Sequence, residues 1–377
     1  SDTDWIWYYN QHHLMNDGWS VTLVFKRVSN YYRELVGDAA DKLIPLPPYQ
    51  DYRMFEASQL AKDSDNSASE YWQEKLRTSS GPLALYGKTP DLRSTAGDRI
   101  FAELSREQSD ILREIAKEPG IRSFTLDLSL YYIFSTLLAA LLSRISGQKS
   151  VTFGAPVHNR STANFKETIG LFIELFPMQL ELDKGDTFRS LLKKTTLETQ
   201  NFLRHSGPGR STAELNNVFN VTLNFINASF GDFAGLKTSS KWIHPGDFDQ
   251  GNSFSLLVHD FDDSGSFKLH FDINTDTFTS AEREQLVEDF FKILDAFIES
   301  RESVIDTINL LDDKTTSELL EAFNKTSCKE SESGIVQWFS ETVGNSPNQD
   351  ALICYDEVMS FAELDRKSNQ LANHLTS

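Results

Sequence analysis

The chain has 377 residues, 39% of them hydrophobic and 24% charged. That is the composition of folded globular protein, at a length that calls for two or more units rather than one core. Acidic residues outnumber basic ones 55 to 36, for a formal net charge of -19, which argues against a nucleic-acid or anionic-membrane surface and leaves only local basic patches for docking.

The two cysteines, Cys328 and Cys354, form no C-x-x-C pair. Neither a disulfide scaffold nor a structural zinc site is expected, and a reducing cytoplasm fits. The chain opens on Ser1-Asp2-Thr3-Asp4 without Met, basic region or apolar core, so it reads as no signal peptide and as a cut within a longer protein. Trp5 to Gln11 is aromatic and β-prone and reads as a strand. After Gly18 the period changes: Val21, Val24, Val28, Tyr31 and Leu35 mark an amphipathic helix with that face inward. A Pro-rich break at Ile44 to Tyr49 precedes a helix through Tyr71 to Leu76, and residues 81–97 read as a loop or crossover. A helix follows from Ser105. The apolar run from Phe124 to Ile145 is broken by Asp127 and Arg144 among others, so it reads as a buried helix rather than a membrane span. Val151 to Pro156 is a short strand. Asp186 caps a helix with Phe188, Leu191, Leu192 and Leu203 inward. Strands are expected at Phe219–Ile226, Phe254–Asp260 and Phe267–Ile273. Thr279-Ser280-Ala281-Glu282 has the capping-box pattern and opens a helix with Leu286, Phe290, Ile293, Leu294, Phe297 and Ile298 inward. Polar sequence from Leu311 reads as a linker, and a new unit begins near Ile335.

The segment His12-His13-Leu14-Met15-Asn16-Asp17-Gly18 sits between the first strand and the first helix. Histidine is the side chain best matched to proton transfer near neutral pH. An acidic residue four positions on can pair with a base and pin the loop, and Gly18 permits backbone angles or a close approach closed to other residues. The arrangement suits acyl transfer with proton handling at the nucleophile. Taken alone, the same string also fits a pair of loop or core histidines. A metal site is disfavoured, because adjacent histidines diverge and no further ligand follows at suitable spacing.

Other segments join it in order. His12 to Ser20 (HHLMNDGWS) resembles the core motif of nonribosomal peptide synthetase condensation domains. Tyr49-Gln50-Asp51-Tyr52-Arg53-Met54-Phe55 resembles the family's aromatic-x-Asp-aromatic motif, and Tyr71-Trp72 its aromatic-Trp helix. Phe153 to Arg160 resembles its strand and loop ending in Arg, and Ile169 to Pro177 its Ile-Gly-x-Phe-x-Asn-Thr segment. Phe323-Asn324-Lys325-Thr326 resembles the linker into an adenylation domain, and Met359 to Leu364 the first adenylation motif. The likeness departs at Glu174-Leu175, where the family has Asn-Thr. It departs again at Arg204 to Gly209, where the family has His-Gln-x-x-Pro-Phe-Glu.

The resemblance implies an α/β (α+β) two-layer sandwich, with chloramphenicol acetyltransferase-like lobes in a V around a tunnel and the first lobe incomplete. It divides the chain into a condensation domain over 1–311 (1–100 remainder of the first lobe and crossover, 101–311 second lobe), a linker over 312–334, and the start of an adenylation domain over 335–377. It implies peptide-bond formation between substrates held on the 4'-phosphopantetheine of upstream donor and downstream acceptor carrier domains. No cofactor is expected bound to this chain, and ATP and Mg belong to the absent part of the adenylation domain. His13 is implied as base or positioner of the amine, His12 as support, Asp17 as a salt-bridged loop holder, and Gly18 as shaping the site. Asn224, Arg160 and Glu174 are expected to line the tunnel. The expected partner for Asp17 lies ahead of residue 1, with Arg160 a poor substitute. Rivals are an epimerization domain, a CoA-dependent acyltransferase of the same superfamily, and an inactive or carrier-docking remnant.

Overall fold

In the computed structural model the described residues are 4–37, 44–62, 67–247, 249–322, 324–325 and 334–377. Ser1 to Thr3, Phe323, Thr326 and Cys328, all used above, lie outside them. The chain divides after Leu310 into two compact units.

The first unit opens with Trp5 to Gln11, which forms no strand. A ladder needs a neighbour's N–H and C=O groups, and none pairs with this segment among the described residues. Trp5 and Ile6 are 89% and 95% exposed, whereas Trp7 stacks on Phe25 at 5.8 Å. Three helices follow: α1 (Gly18–Leu35), α2 (Tyr49–Lys62) and α3 (Ser67–Thr78). The buried positions of α1 are Ser20, Thr22, Leu23 and Ser29. The expected inward face is thereby corrected: Val28, Tyr31 and Leu35 are exposed, and the face that packs does so partly through polar contacts.

The unit's frame is one six-stranded sheet. In chain order its elements are β1 (Gly97–Glu103), α4 (Arg106–Ile115), α5 (Leu126–Ser146), β2 (Ser150–His158), α6 (Ala163–Lys166), β3 (Ile173–Glu181), α7 (Phe188–His205), α8 (Ala213–Asn216), β4 (Val221–Ile226), β5 (Phe254–His259), β6 (Lys268–Asn274) and α9 (Ser280–Glu299). The strand order is β1-β6-β5-β4-β2-β3. The β4 strand runs parallel to both β2 and β5, and the other pairs are antiparallel. Helix starts are set by local chemistry. Ser105, Thr125, Thr187 and Thr279 each accept from a backbone N–H of the first turn, a cap worth about 0.5–2 kcal/mol. Thr187, not Asp186, caps α7; the Asp186 carboxylate binds Lys194 and the Ser190 hydroxyl instead. Leu203, expected inward on α7, is exposed.

Strand periodicity separates two faces. Val221, Leu223, Leu256, Val258, Leu269 and Phe271 point into the main core with α5, α7 and α9. Among the described residues one helix, α5, is long and apolar enough to cross a membrane, and 72% of that stretch is buried inside the protein. Leu137, Leu138, Leu141 and Leu142 are wholly enclosed, and truncating any one to Ala costs about 2–5 kcal/mol. The opposite face carries Thr222, Asn224, Ile226, Ser255, His259, His270 and Asp272, and Gly18, which closes the histidine segment, lies against Ile226.

In the second unit, α10 (Asp313–Ser317) is followed by α11 (Ile335–Asn345), the antiparallel pair β7 (Asp350–Cys354) and β8 (Glu357–Ser360), and α12 (Phe361–Thr376). Ser360 caps α12 by accepting from Glu363 N–H. Ile335, Val336, Ile353 and Leu375 are exposed.

Candidate active site

The histidine segment is a tight turn rather than a simple strand-to-helix link. His13 to Met15 make one 3-10 turn. His12 Nδ1 accepts from Leu14 N–H at 3.1 Å, so His12 shapes the turn. His13 is exposed and its ring makes no hydrogen bond among the described residues. That leaves the ring free for a reacting group. Asn16, 5% exposed, donates to Tyr9 Oη at 2.9 Å and to Gln11 Oε1 at 2.6 Å, tying the incoming chain to the turn.

Asp17 ends the turn and caps α1, accepting from Ser20 N–H at 2.8 Å. Its partner is Arg160, at the loop after β2: Nη2 lies 2.8 Å from Oδ1 and 3.0 Å from Oδ2. The expectation that the partner lies ahead of residue 1 is thereby corrected. Both residues are buried, at 2% and 3% exposure. Arg160 Nη1 also donates to the carbonyls of Phe165 and Thr168, both at 2.6 Å, and its guanidinium lies 3.9 Å from the Phe172 ring centroid. Phe172 N–H donates to Asp17 Oδ2 at 3.1 Å. Burial lowers the Arg160 pKa, and the Asp17 carboxylate opposes that shift. The pair is therefore a desolvated clamp with its hydrogen-bonding capacity largely used, the one geometry in which burying two charges is tolerable. Arg160 is committed to this clamp rather than presented to a tunnel.

The family-like aromatic segment builds the floor under the clamp. Tyr49, Tyr52 and Phe55 of α2 pack with Phe165 and Phe172. Tyr49 Oη donates to Leu171 O at 2.5 Å. A Cβ on Gly170 would lie 2.1 Å from the Tyr49 ring, so only glycine fits there. Gly18 is different: its Cβ position is an ordinary 3.7 Å from Ile226 Cγ2 and its φ is not positive. Neither strain nor clash demands glycine at 18. The contact does show that the first turn of α1 lies against β4. Asn224, two residues before Ile226 on the same strand face, is half-buried with no side-chain hydrogen bond among the described residues. Beside this lies a pocket of about 280 Å³ between Trp19, Thr22 and Lys26 of α1 and residues 227–231.

Glu174, on β3, is not an open lining group. Its carboxylate accepts from Asn159 Nδ2 at 2.9 Å, Gly209 N–H at 2.6 Å and Ser211 N–H at 2.9 Å. Burial raises its pKa, and the Ser211 and Gly209 amides pull it back. Asn16, Ser20 and Phe172, which fasten the turn, fall within segments that resemble family motifs, but nothing in a local pattern marks the contacts they make in the folded chain. Among the described residues no group of three or more His, Cys, Asp or Glu side chains is arranged to hold a metal ion.

His13 thus stands exposed on a turn held by the buried Asp17–Arg160 pair, with Gly18 against Ile226 of β4. The Condensation domain family model matches residues 1–320. Bacitracin synthase 2 of Bacillus licheniformis is 25% identical over 377 residues, a match covering 97% of this chain and 14% of that protein. Malpinin synthetase of Mortierella alpina is 25% identical over 382 residues, covering 97% of this chain and 5% of that protein. The chain thus spans a small part of the curated relatives it matches. Among solved structures, the first condensation domain of the CDA synthetase superposes with a TM-score of 0.66 at 20% identity, over 80% of this chain and 66% of that one. A four-domain nonribosomal peptide synthetase bound to AMP and glycine gives 0.63 at 16% identity, over 97% of this chain and 29% of that one. The fold and the matched residues agree: this chain belongs to the condensation domain family.

Proposed function

We propose that this chain forms a peptide bond between two carrier-bound substrates. The amine of an aminoacyl thioester on the downstream carrier attacks the carbonyl carbon of the acyl or peptidyl thioester on the upstream carrier. The new C–N bond replaces the C–S bond, and the pantetheine thiol leaves with a proton. His13 receives the amine proton or holds the amine for attack, and the Asp17–Arg160 clamp keeps the turn in place. The clamp supports this reading most, because burying a charge pair is a costly way to hold an otherwise exposed turn that has no task. Asn224 lines the substrate path on the sheet face.

Residues 335–377 are the beginning of an adenylation domain. In support, the match to the four-domain synthetase extends over 97% of this chain, against 80% for the isolated condensation domain. ATP and Mg belong to the remainder of that domain, and a cytoplasmic location goes with the whole reading.

The test is His13→Ala in the intact synthetase with both carriers loaded. Peptide-bond formation falls by about 10²–10⁴ while amino-acid adenylation is unchanged. An unchanged peptide yield refutes the assignment.

A further inference from the structure

Two features set this chain apart from the family pattern: Glu174-Leu175 on β3, and the Ser206-Gly207-Pro208-Gly209 loop after α7. They meet in space. Glu174 bridges three donors with both carboxylate oxygens. Oε1 takes Asn159 Nδ2 and Gly209 N–H, and Oε2 takes Ser211 N–H. Ser211 Oγ adds a bond to Leu175 O at 2.6 Å. Gly209 has φ +76°, and a Cβ there would come within 2.7 Å of Leu60 Cδ1 and 3.3 Å of Glu56 Cγ. The loop is therefore pressed between α2 on one side and the Glu174 carboxylate on the other. Asn159, the third donor, precedes Arg160, whose guanidinium grips Asp17 behind the histidine turn.

We infer that Glu174 is a positioning residue, which fixes the 207–211 loop against α2 and, through Asn159, the strand end that carries Arg160. The inference rests on the condensation reading for its catalytic consequence, but not for its structural one. The charge is required, not merely the shape. An amide at 174 presents an NH₂ to one set of these donors whichever way it is turned, and the facing N–H then loses its acceptor.

The test compares the wild-type chain with Glu174→Gln and Gly209→Ala, and with the double variant, by amide hydrogen exchange. In Glu174→Gln at least one of the Gly209 and Ser211 amides exchanges about tenfold faster or more, because its charge-assisted acceptor is gone. The amides of Leu137 to Leu142 in α5 keep their protection. Gly209→Ala, which leaves the carboxylate but displaces its donor, gives the same local pattern. The double variant is no faster than the faster single one. Unchanged exchange at Gly209 and Ser211, acceleration that spreads to α5, or additive effects would each overturn the inference. In the intact synthetase the two single variants slow single-turnover peptide-bond formation roughly tenfold, again without adding. Local exchange effects with no change in that rate would overturn the link to the histidine turn. A wild-type synthetase that forms no peptide bond would instead remove the condensation reading and leave the anchor standing.

Discussion

Arg160 and Asp17 show how one residue is placed by another 143 positions away. Each is costly alone in a dry interior, and each is stable here because its charge and most of its lone pairs or protons are used. Removing one partner leaves the other uncompensated. Arg160→Ala is expected to lose about 3–5 kcal/mol, read as a lower urea midpoint for the 377-residue chain; an unshifted midpoint means the pair does not hold the fold. Gly170→Ala tests the floor of the same site. The ring it would strike belongs to Tyr49, whose hydroxyl is already committed to Leu171 O, so the ring has little freedom to retreat. A loss of about 1–3 kcal/mol follows for such overpacking, and a neutral result in the same denaturation assay would show that α2 can shift.

At the scale of elements, the back face of the sheet holds a buried histidine pair. His259 of β5 and His270 of β6 lie Nε2 to Nε2 at 2.8 Å, under the ring of Trp242. Burial lowers each pKa from 6.5 to about 4. Lys268 and Arg99 push in the same direction, and Asp262 and Asp272 oppose. The folded state thus resists protonation that the unfolded chain accepts. Stability from this pair is full above pH about 6.5 and is lost as pH falls toward about 4. Urea midpoints at pH 7, 5.5 and 4.5 should fall along that window, and a His259→Leu/His270→Leu variant should fall less steeply; equal slopes would exclude the pair as a source. Elements also mark where the sequence is legible. The β2, β4, β5 and β6 strands and helices α4, α5, α7 and α9 can be read from periodicity and caps, because burial on one side imposes a clean pattern. Within the six-stranded sheet, the two strands that escape such reading, β1 and β3, are the edges. One is half polar, and the other carries Pro177, whose missing N–H an edge strand tolerates. Trp5 to Gln11 errs the other way: its residues suit a strand, but pairing is a property of a neighbour. Of the site, His12, His13 and Asp17 are visible as a motif, whereas the use of Arg160 and Glu174 depends on contacts that no local spacing records.

Over the whole molecule, the core of the first unit is complete without the second. Every member of the main hydrophobic cluster lies at or before Ile305. A chain ended at Asp312 is therefore expected to keep its melting temperature within about 2–4 °C, the shift expected for less than about 1 kcal/mol in a unit of this size; a larger drop by calorimetry would show that the tail stabilises it. The clamp has a different bearing on how such enzymes can be recombined. A junction placed anywhere between residues 21 and 158 takes Asp17 from one parent and Arg160 from the other, so the histidine turn of the hybrid relies on two lineages having kept the same stereochemistry. A junction near residue 311 keeps Asp17 and Arg160 together. The seam that respects the chemistry is the one between the two units, and swaps made inside the first inherit its turn and its clamp as a single part.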